Sequence, residues 1–112
     1  TGQVNAESAG GRYVGAVGGQ VDFLRAAAVA GGLAIVALPA TVARTGATRI
    51  VERLNGPVTT SRVDVDLVVT EFGVARLRGL DLADRARALT AIADPEHREA
   101  LDRAAPAGNL RP

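Results

Sequence analysis

Apolar positions along the chain fall into short runs separated by glycine-rich turns. Val21, Leu24, Ala27 and Ala28 recur at helical spacing, which predicts a helix over Gln20–Ala30. Gly18–Gly19 open it, and Gly31–Gly32 end it as a left-handed C-terminal cap would. Leu33–Leu38 is an unbroken apolar run of strand length. Lacking polar alternation, it reads as a strand covered on both faces, as in a sandwiched α/β sheet, and Pro39 ends it. Val65–Thr70 reads as a second buried strand that stops at Glu71-Phe72-Gly73. Ahead of the helix, Gln3–Asn5 and Tyr13–Val14 read as short strands around a turn at Gly10–Gly11. Residues 43–48 read as a loop around Gly46, Arg49–Leu54 as a strand, Asn55-Gly56-Pro57 as a turn, and Val58–Arg62 as a polar connection. Val74–Arg78 reads as a short helical segment closing on Gly79. Asp81 caps a helix whose apolar stripe is Leu82, Ala86, Leu89 and Ala93. Asp94-Pro95-Glu96 starts a last helix, with Asp as the cap and Pro at the first position. The expected division is one domain over 1–105 and a flexible tail over 106–112, where Pro, Gly and Asn favour fraying.

Composition narrows the chemistry. The chain has 112 residues, 47% of them apolar and only 3% aromatic, so its core is built from Val, Leu, Ile and Ala. A net charge of +1 argues against a nucleic-acid footprint. All 13 basic residues are Arg, which excludes a lysine Schiff base and a P-loop lysine. Without cysteine there is no disulfide, thiol nucleophile or Cys-type zinc site. The one histidine, His97, falls in the first turn of the last helix, in solvent, and no metal is expected. Neither Ser8 nor Ser61 sits in a nucleophile elbow. The longest nearly uncharged run, 26–42, is broken by Gly31, Gly32 and Pro39, so no membrane partner is expected. No signal peptide is visible, which is compatible with the cytoplasm. A start at Thr1 inside a strand–turn motif reads as a fragment of a longer chain.

Four polar groups could carry function. Gly15-Ala16-Val17-Gly18-Gly19-Gln20 runs into a helix, where unpaired amides can hold a phosphate or an oxyanion; it can equally be a tight turn. Glu71 follows a buried strand, at the sheet edge where α/β sites form. It can position a substrate or act as base or nucleophile, or it can be an exposed loop acid or a cap. Asn5, Glu7 and Ser8 can bond a ligand or make an Asx turn. Arg62, after Thr59, Thr60 and Ser61, can fork onto a carboxylate or phosphate, or pair with Asp64.

Three segments occurring in order resemble one family. Gly2-Gln3-Val4-Asn5-Ala6-Glu7-Ser8, Gly18-Gly19-Gln20-Val21-Asp22-Phe23 and Val68-Val69-Thr70-Glu71-Phe72-Gly73-Val74-Ala75 are similar to the C-terminal motifs of acetyl-CoA hydrolases/transferases. That family includes 4-hydroxybutyrate, butyrate and succinate:acetate CoA-transferases. Val58–Arg62, Leu77-Arg78-Gly79 and Arg85–Arg98 also fit, so the resemblance covers nearly the whole chain. It implies an α/β domain of the CoA-transferase fold, a mixed sheet flanked by helices, cut from a longer enzyme.

The resemblance further implies transfer of CoA between short-chain carboxylic acids through a glutamyl-CoA thioester. The nucleophilic glutamate would lie upstream, so neither Glu7 nor Glu71 is that residue. Gly19 matches the family glycine whose amide helps form the oxyanion hole, and Gly15, Gly18, Gly19 and Gln20 match the CoA-contacting loop. Glu71 matches a glutamate that helps place the substrate carboxylate, with Asn5 and Arg62 as supporting residues. The implied partners are acyl-CoA, a short-chain carboxylate, the N-terminal half and further copies of the enzyme. Coenzyme A enters as substrate, with no permanently bound cofactor. Ala30 departs from the pattern, since many relatives carry there a Lys that can contact CoA. An acyl-CoA hydrolase and a non-catalytic CoA-binding or scaffold domain are the competing readings.

Overall fold

The computed structural model describes residues 1–105; the expected tail over 106–112 lies outside the described residues. Two adjacent glycines set the first long element. Helix α1, Gln20–Val29, begins after Gly18 and Gly19 and ends at Ala30. Gly31 takes φ +75°, the Gly32 amide returns to the Ala27 carbonyl at 2.8 Å, and the Gly31 amide bonds the Ala28 carbonyl at 3.2 Å. Those two bonds are a Schellman cap, which satisfies the last helical carbonyls as the glycine pair predicts.

The sheet that follows has three strands: β3, Ile35–Ala37; β4, Leu67–Thr70; and β5, Gly73–Arg76. Strand β3 pairs parallel with β4 and β5 pairs antiparallel with it, in the order β3-β4-β5. The expected mixed sheet with helices is the fold observed. In register, Val36, Val68 and Ala75 form one row, and all three are buried. They join Leu24 of α1, Val65, Leu77, Leu89, Ile92 and Ala93 in one core. Burial of each such aliphatic side chain is worth about 1.5–3 kcal/mol. The other face carries Ile35, Ala37, Leu67, Val69 and Val74. There Ile35 stays 48% and Val74 53% exposed. Among the described residues, Leu33–Leu38 is therefore covered on one face only, with Leu33 and Ile35 left largely exposed on the other.

Helix α2, Leu82–Ala91, packs on β5, and α3, Pro95–Ala104, packs on α2. Their starts follow the predicted caps: the Asp81 carboxylate accepts from the Asp84 amide, and that of Asp94 from the Glu96 amide. Three assignments change. Val74–Arg78 is not helical, since Gly73–Arg76 folds back as β5 on the Glu71-Phe72 turn. Among the described residues Arg49–Leu54 forms no strand: its Arg49 amide bonds the Ala40 carbonyl at 2.8 Å, but no ladder continues from there. The first hairpin is β1, Ser8–Ala9, with β2, Arg12–Tyr13, slightly inside the expected pair. His97 is half-buried, with Nε2 3.0 Å from the Gly46 carbonyl, so it is not the free solvent residue the helix position predicts. Among the described residues no helix is long and apolar enough to cross a membrane.

Candidate functional site

Asn5 shapes the first segment of the site. Its Oδ1 accepts from the amides of Glu7 (3.1 Å) and Ser8 (3.0 Å), and its Nδ2 donates to the Ser8 carbonyl (3.1 Å). These bonds make an Asx turn, the local alternative for this cluster. Gly56 lies against it. A Cβ at that position would sit 2.3 Å from Ser8 Oγ and 2.7 Å from Asn5 Nδ2, and φ is +150°. Only glycine fits both the space and the backbone.

The same turn buries Glu7, which is 9% exposed. Its Oε2 accepts from the Thr59 hydroxyl at 2.8 Å, and its Oε1 receives a longer bond from Tyr13 at 3.4 Å. The Glu7 carbonyl accepts from the amides of Val14 (2.8 Å) and Gly15 (3.3 Å), which fixes the entry of the glycine loop. At the exit, the fully buried Thr60 donates its hydroxyl to Gln20 Oε1 at 2.9 Å. Thr59 and Thr60 are themselves held by Val4 through backbone bonds of 2.8–3.1 Å.

Between these anchors, Gly18 takes φ +61° and Gly19 caps α1 at φ −96°. The Gly19 carbonyl accepts from the Phe23 amide at 3.1 Å. Gly19 is exposed, and among the described residues its own amide donates no hydrogen bond. An unspent amide at a helix start can meet an anion or a developing oxyanion. Asp22 stands in the same first turn, so part of the positive field at that end is already met.

Glu71 lies in the turn after β4, at the C-terminal edge of the sheet as its position predicts. It is exposed, and its Oε2 accepts from the Ala40 amide at 2.9 Å. Among the described residues no hydrogen bond or ion pair joins Glu71 to the loop over 15–20. Arg62 begins a short 3-10 helix, Arg62–Asp64, and does not pair with Asp64. Asp64 is taken instead by Arg25, in a fork of 2.9 and 3.0 Å that ties α1 to this segment. Those hydrogen bonds hold the Asp64 carboxyl below its ordinary range. Arg62 lines a cavity of ≈ 570 Å³ with Gln3, Val4, Val51 and Leu54. Asn5, Gly15, Gly18, Gly19, Gln20 and Glu71 do not line it.

Asn5, Gly15 and Gln20 are thus brought together around Thr59 and Thr60, while Arg62 and Glu71 stand apart from that group. The roles of Thr59 and Thr60 are not readable from the polar run that contains them, because their partners lie 40 to 53 positions away.

Comparison with known proteins places the chain in a family. Residues 1–105 match the family model described as acetyl-CoA hydrolase/transferase C-terminal domain. The chain is 52% identical over 103 residues to a 4-hydroxybutyrate coenzyme A transferase of Clostridium kluyveri, covering 89% of this chain and 24% of that protein. It is 48% identical over 110 residues to a succinyl-CoA:acetate/propanoyl-CoA:succinate CoA transferase of Fasciola hepatica, covering 94% and 23%. The crystal structure of RipA from Yersinia pestis superposes with a TM-score of 0.83 at 43% identity, over 93% of this chain and 24% of that one. The chain spans about a quarter of the length of the curated relatives it matches.

Proposed function

Because the chain belongs to the acetyl-CoA hydrolase/transferase family, with its C-terminal domain over residues 1–105, we propose that it is part of an enzyme that moves coenzyme A between short-chain carboxylic acids. On this reading the whole enzyme is a cytoplasmic homo-oligomer without a permanent cofactor, taking acyl-CoA and a free carboxylate as its partners. A glutamate in the N-terminal part attacks the acyl-CoA thioester and displaces CoA thiolate, leaving a mixed anhydride. The thiolate attacks the glutamyl carbonyl, expels the donor carboxylate and forms a glutamyl-CoA thioester. The acceptor carboxylate then attacks that thioester and expels CoA thiolate, giving a second mixed anhydride; the thiolate attacks its acyl carbonyl, releasing the new acyl-CoA and the free glutamate carboxylate.

The single observation that supports a part for this chain is the amide of Gly19. It is exposed, donates to no group among the described residues, and heads a helix at the end of a loop held at both ends. A preorganised amide of this kind stabilises the oxyanion of a tetrahedral intermediate, and loss of one such donor costs about 10²–10³ in kcat. Gly15, Gly18 and Gln20 line the path of CoA along the same loop. Glu71, held through one oxygen by Ala40, has its second oxygen available to place the substrate carboxylate.

An acyl-exchange assay on the full-length enzyme tests this. Wild type should transfer CoA from acetyl-CoA to a short-chain acid, and Glu71→Ala should lower the rate about tenfold or more. Undiminished turnover in that variant removes Glu71 from the site. Release of free CoA without exchange replaces the transferase with a hydrolase. Binding of CoA without either reaction reduces the domain to a scaffold.

A further inference from the structure

We propose that Thr59 and Thr60 are positioning residues that grip the two ends of the loop 14–20, with Glu7 as the lever at the entry. This rests on the functional reading above and deepens it. The two threonines are neighbours on an extended segment bridged to Val4, so their side chains leave on opposite sides. Thr59 reaches the entry of the loop: its hydroxyl donates to Glu7 Oε2 at 2.8 Å and accepts from the Ala6 amide at 2.9 Å. Glu7 passes the constraint on, since its carbonyl receives the amides of Val14 and Gly15. Thr60 reaches the exit, where its hydroxyl meets Gln20 Oε1 at 2.9 Å. Two adjacent hydroxyls therefore fix both ends of a loop that contains Gly18 and Gly19.

The arrangement has the marks of a built device. Glu7 is a buried carboxylate without a cationic partner among the described residues; the hydroxyls of Thr59 and Tyr13 are the donors its side chain has. Tyr13 is 74% exposed and its bond is long, so Thr59 is the principal one. The loop makes few other ties. Gly18 would meet nothing within 4 Å of an added Cβ, and the nearest atom to one on Gly15 is the Ala6 carbonyl at 3.8 Å. Without the grip, the Gly19 amide would be free to wander by the ångström or so that matters to oxyanion geometry.

The test uses the full-length enzyme with acetyl-CoA as donor. Thr59→Val keeps the shape of the side chain and removes its donor and acceptor. It should raise KM for acetyl-CoA about tenfold and lower kcat, whereas Thr59→Ser should restore both to within about twofold. Thr60→Val should act in the same direction through Gln20. A loss of folded enzyme lowers kcat alone and leaves KM in place, so the rise in KM is the diagnostic readout. Glu7→Gln keeps an oxygen for the Thr59 hydroxyl and should be milder than Thr59→Val, which covers the case in which the valine variant does not fold. An active wild type with unchanged KM and kcat in Thr59→Val and Thr60→Val overturns the positioning role alone. A wild type with no CoA exchange removes the functional reading and this proposal with it.

Discussion

Asp66 joins three segments at the lower corner of the sheet, and Asp66→Ala should release all of them. Its residue is 4% exposed. Oδ2 accepts from the Ala34 amide at 3.0 Å, ahead of β3, and from Arg78 Nη2 at 2.9 Å, beyond β5; Oδ1 accepts from Arg78 Nε at 2.5 Å. Ala34 is itself 1% exposed, so the substitution orphans a buried amide that now bonds a charged acceptor, worth about 1.5–3 kcal/mol. The Arg78 arm adds less. Its side chain is 68% exposed, so solvent screening leaves little net gain from that pair. The loss is therefore about 1.5–3 kcal/mol, set by the Ala34 amide. Asp66→Asn keeps an oxygen for Ala34 and should lose roughly half of that.

The same carboxylate predicts a dependence on pH. The hydrogen bonds from Arg78 hold it below its ordinary range; burial pushes the other way, and the Ala34 amide adds to the lowering. A carboxyl that binds protons less readily folded than unfolded stabilises the fold above its unfolded value, near 3.9. That contribution disappears as pH falls through the lower, folded value. Urea unfolding followed by far-UV circular dichroism measures both effects. With a slope of about 1–3 kcal/mol per molar, a loss at the upper end, about 3 kcal/mol, moves the midpoint by roughly 1–3 M at pH 7. The gap between wild type and Asp66→Asn should narrow in acid below the unfolded value. A midpoint for Asp66→Ala within about 0.2 M of wild type would falsify the account of this corner.

Three glycine substitutions extend the test. Gly19→Ala meets only the ring of Phe23 at 3.4 Å and a permissible φ of −96°, so urea stability should change by less than about 0.5 kcal/mol while kcat/KM for acyl-CoA in the full-length enzyme falls; equal activity argues against a ligand at that helix start. Gly18→Ala, at φ +61°, should cost about 1 kcal/mol of stability from backbone alone, read from the same unfolding curve. Gly56→Ala combines φ +150° with a clash against Ser8 and Asn5, and should destabilise by about 2–4 kcal/mol; a near-neutral urea midpoint would show that the Asx turn yields freely.

The parts legible in the sequence are those whose signals are local. The caps Asp81 and Asp94, Pro95 at a helix start and Gly31 in a Schellman motif each satisfy groups within five residues, and all three helices follow from them. Strand β5 is not legible, because four residues hold barely one helical turn, too short to tell helix from strand, and their state is decided by pairing across the turn, Thr70 to Gly73 and Leu67 to Arg76. Arg49–Leu54 shows the converse: strand-forming residues without a partner make no strand. In the candidate site, Gly19 at a helix start is a local inference, whereas the Arg25–Asp64 fork, which displaces the expected Arg62–Asp64 pair, spans 39 positions. The Thr59–Glu7 bond spans 52. Contacts of that range depend on how the elements pack, not on the residues beside them.

Strand β3 lies at the margin of the sheet, which has a consequence for handling the molecule. Among the described residues this marginal strand leaves a row of amides and carbonyls without mates, and Ile35, Val36 and Ala37 carry no charge to discourage a visitor. Pro39, with no N–H to offer, cuts that row short. Concentrated by itself, this domain carries a three-residue template for stacking copy on copy, so cloudiness in storage would originate there and a lysine at position 35 would suppress it.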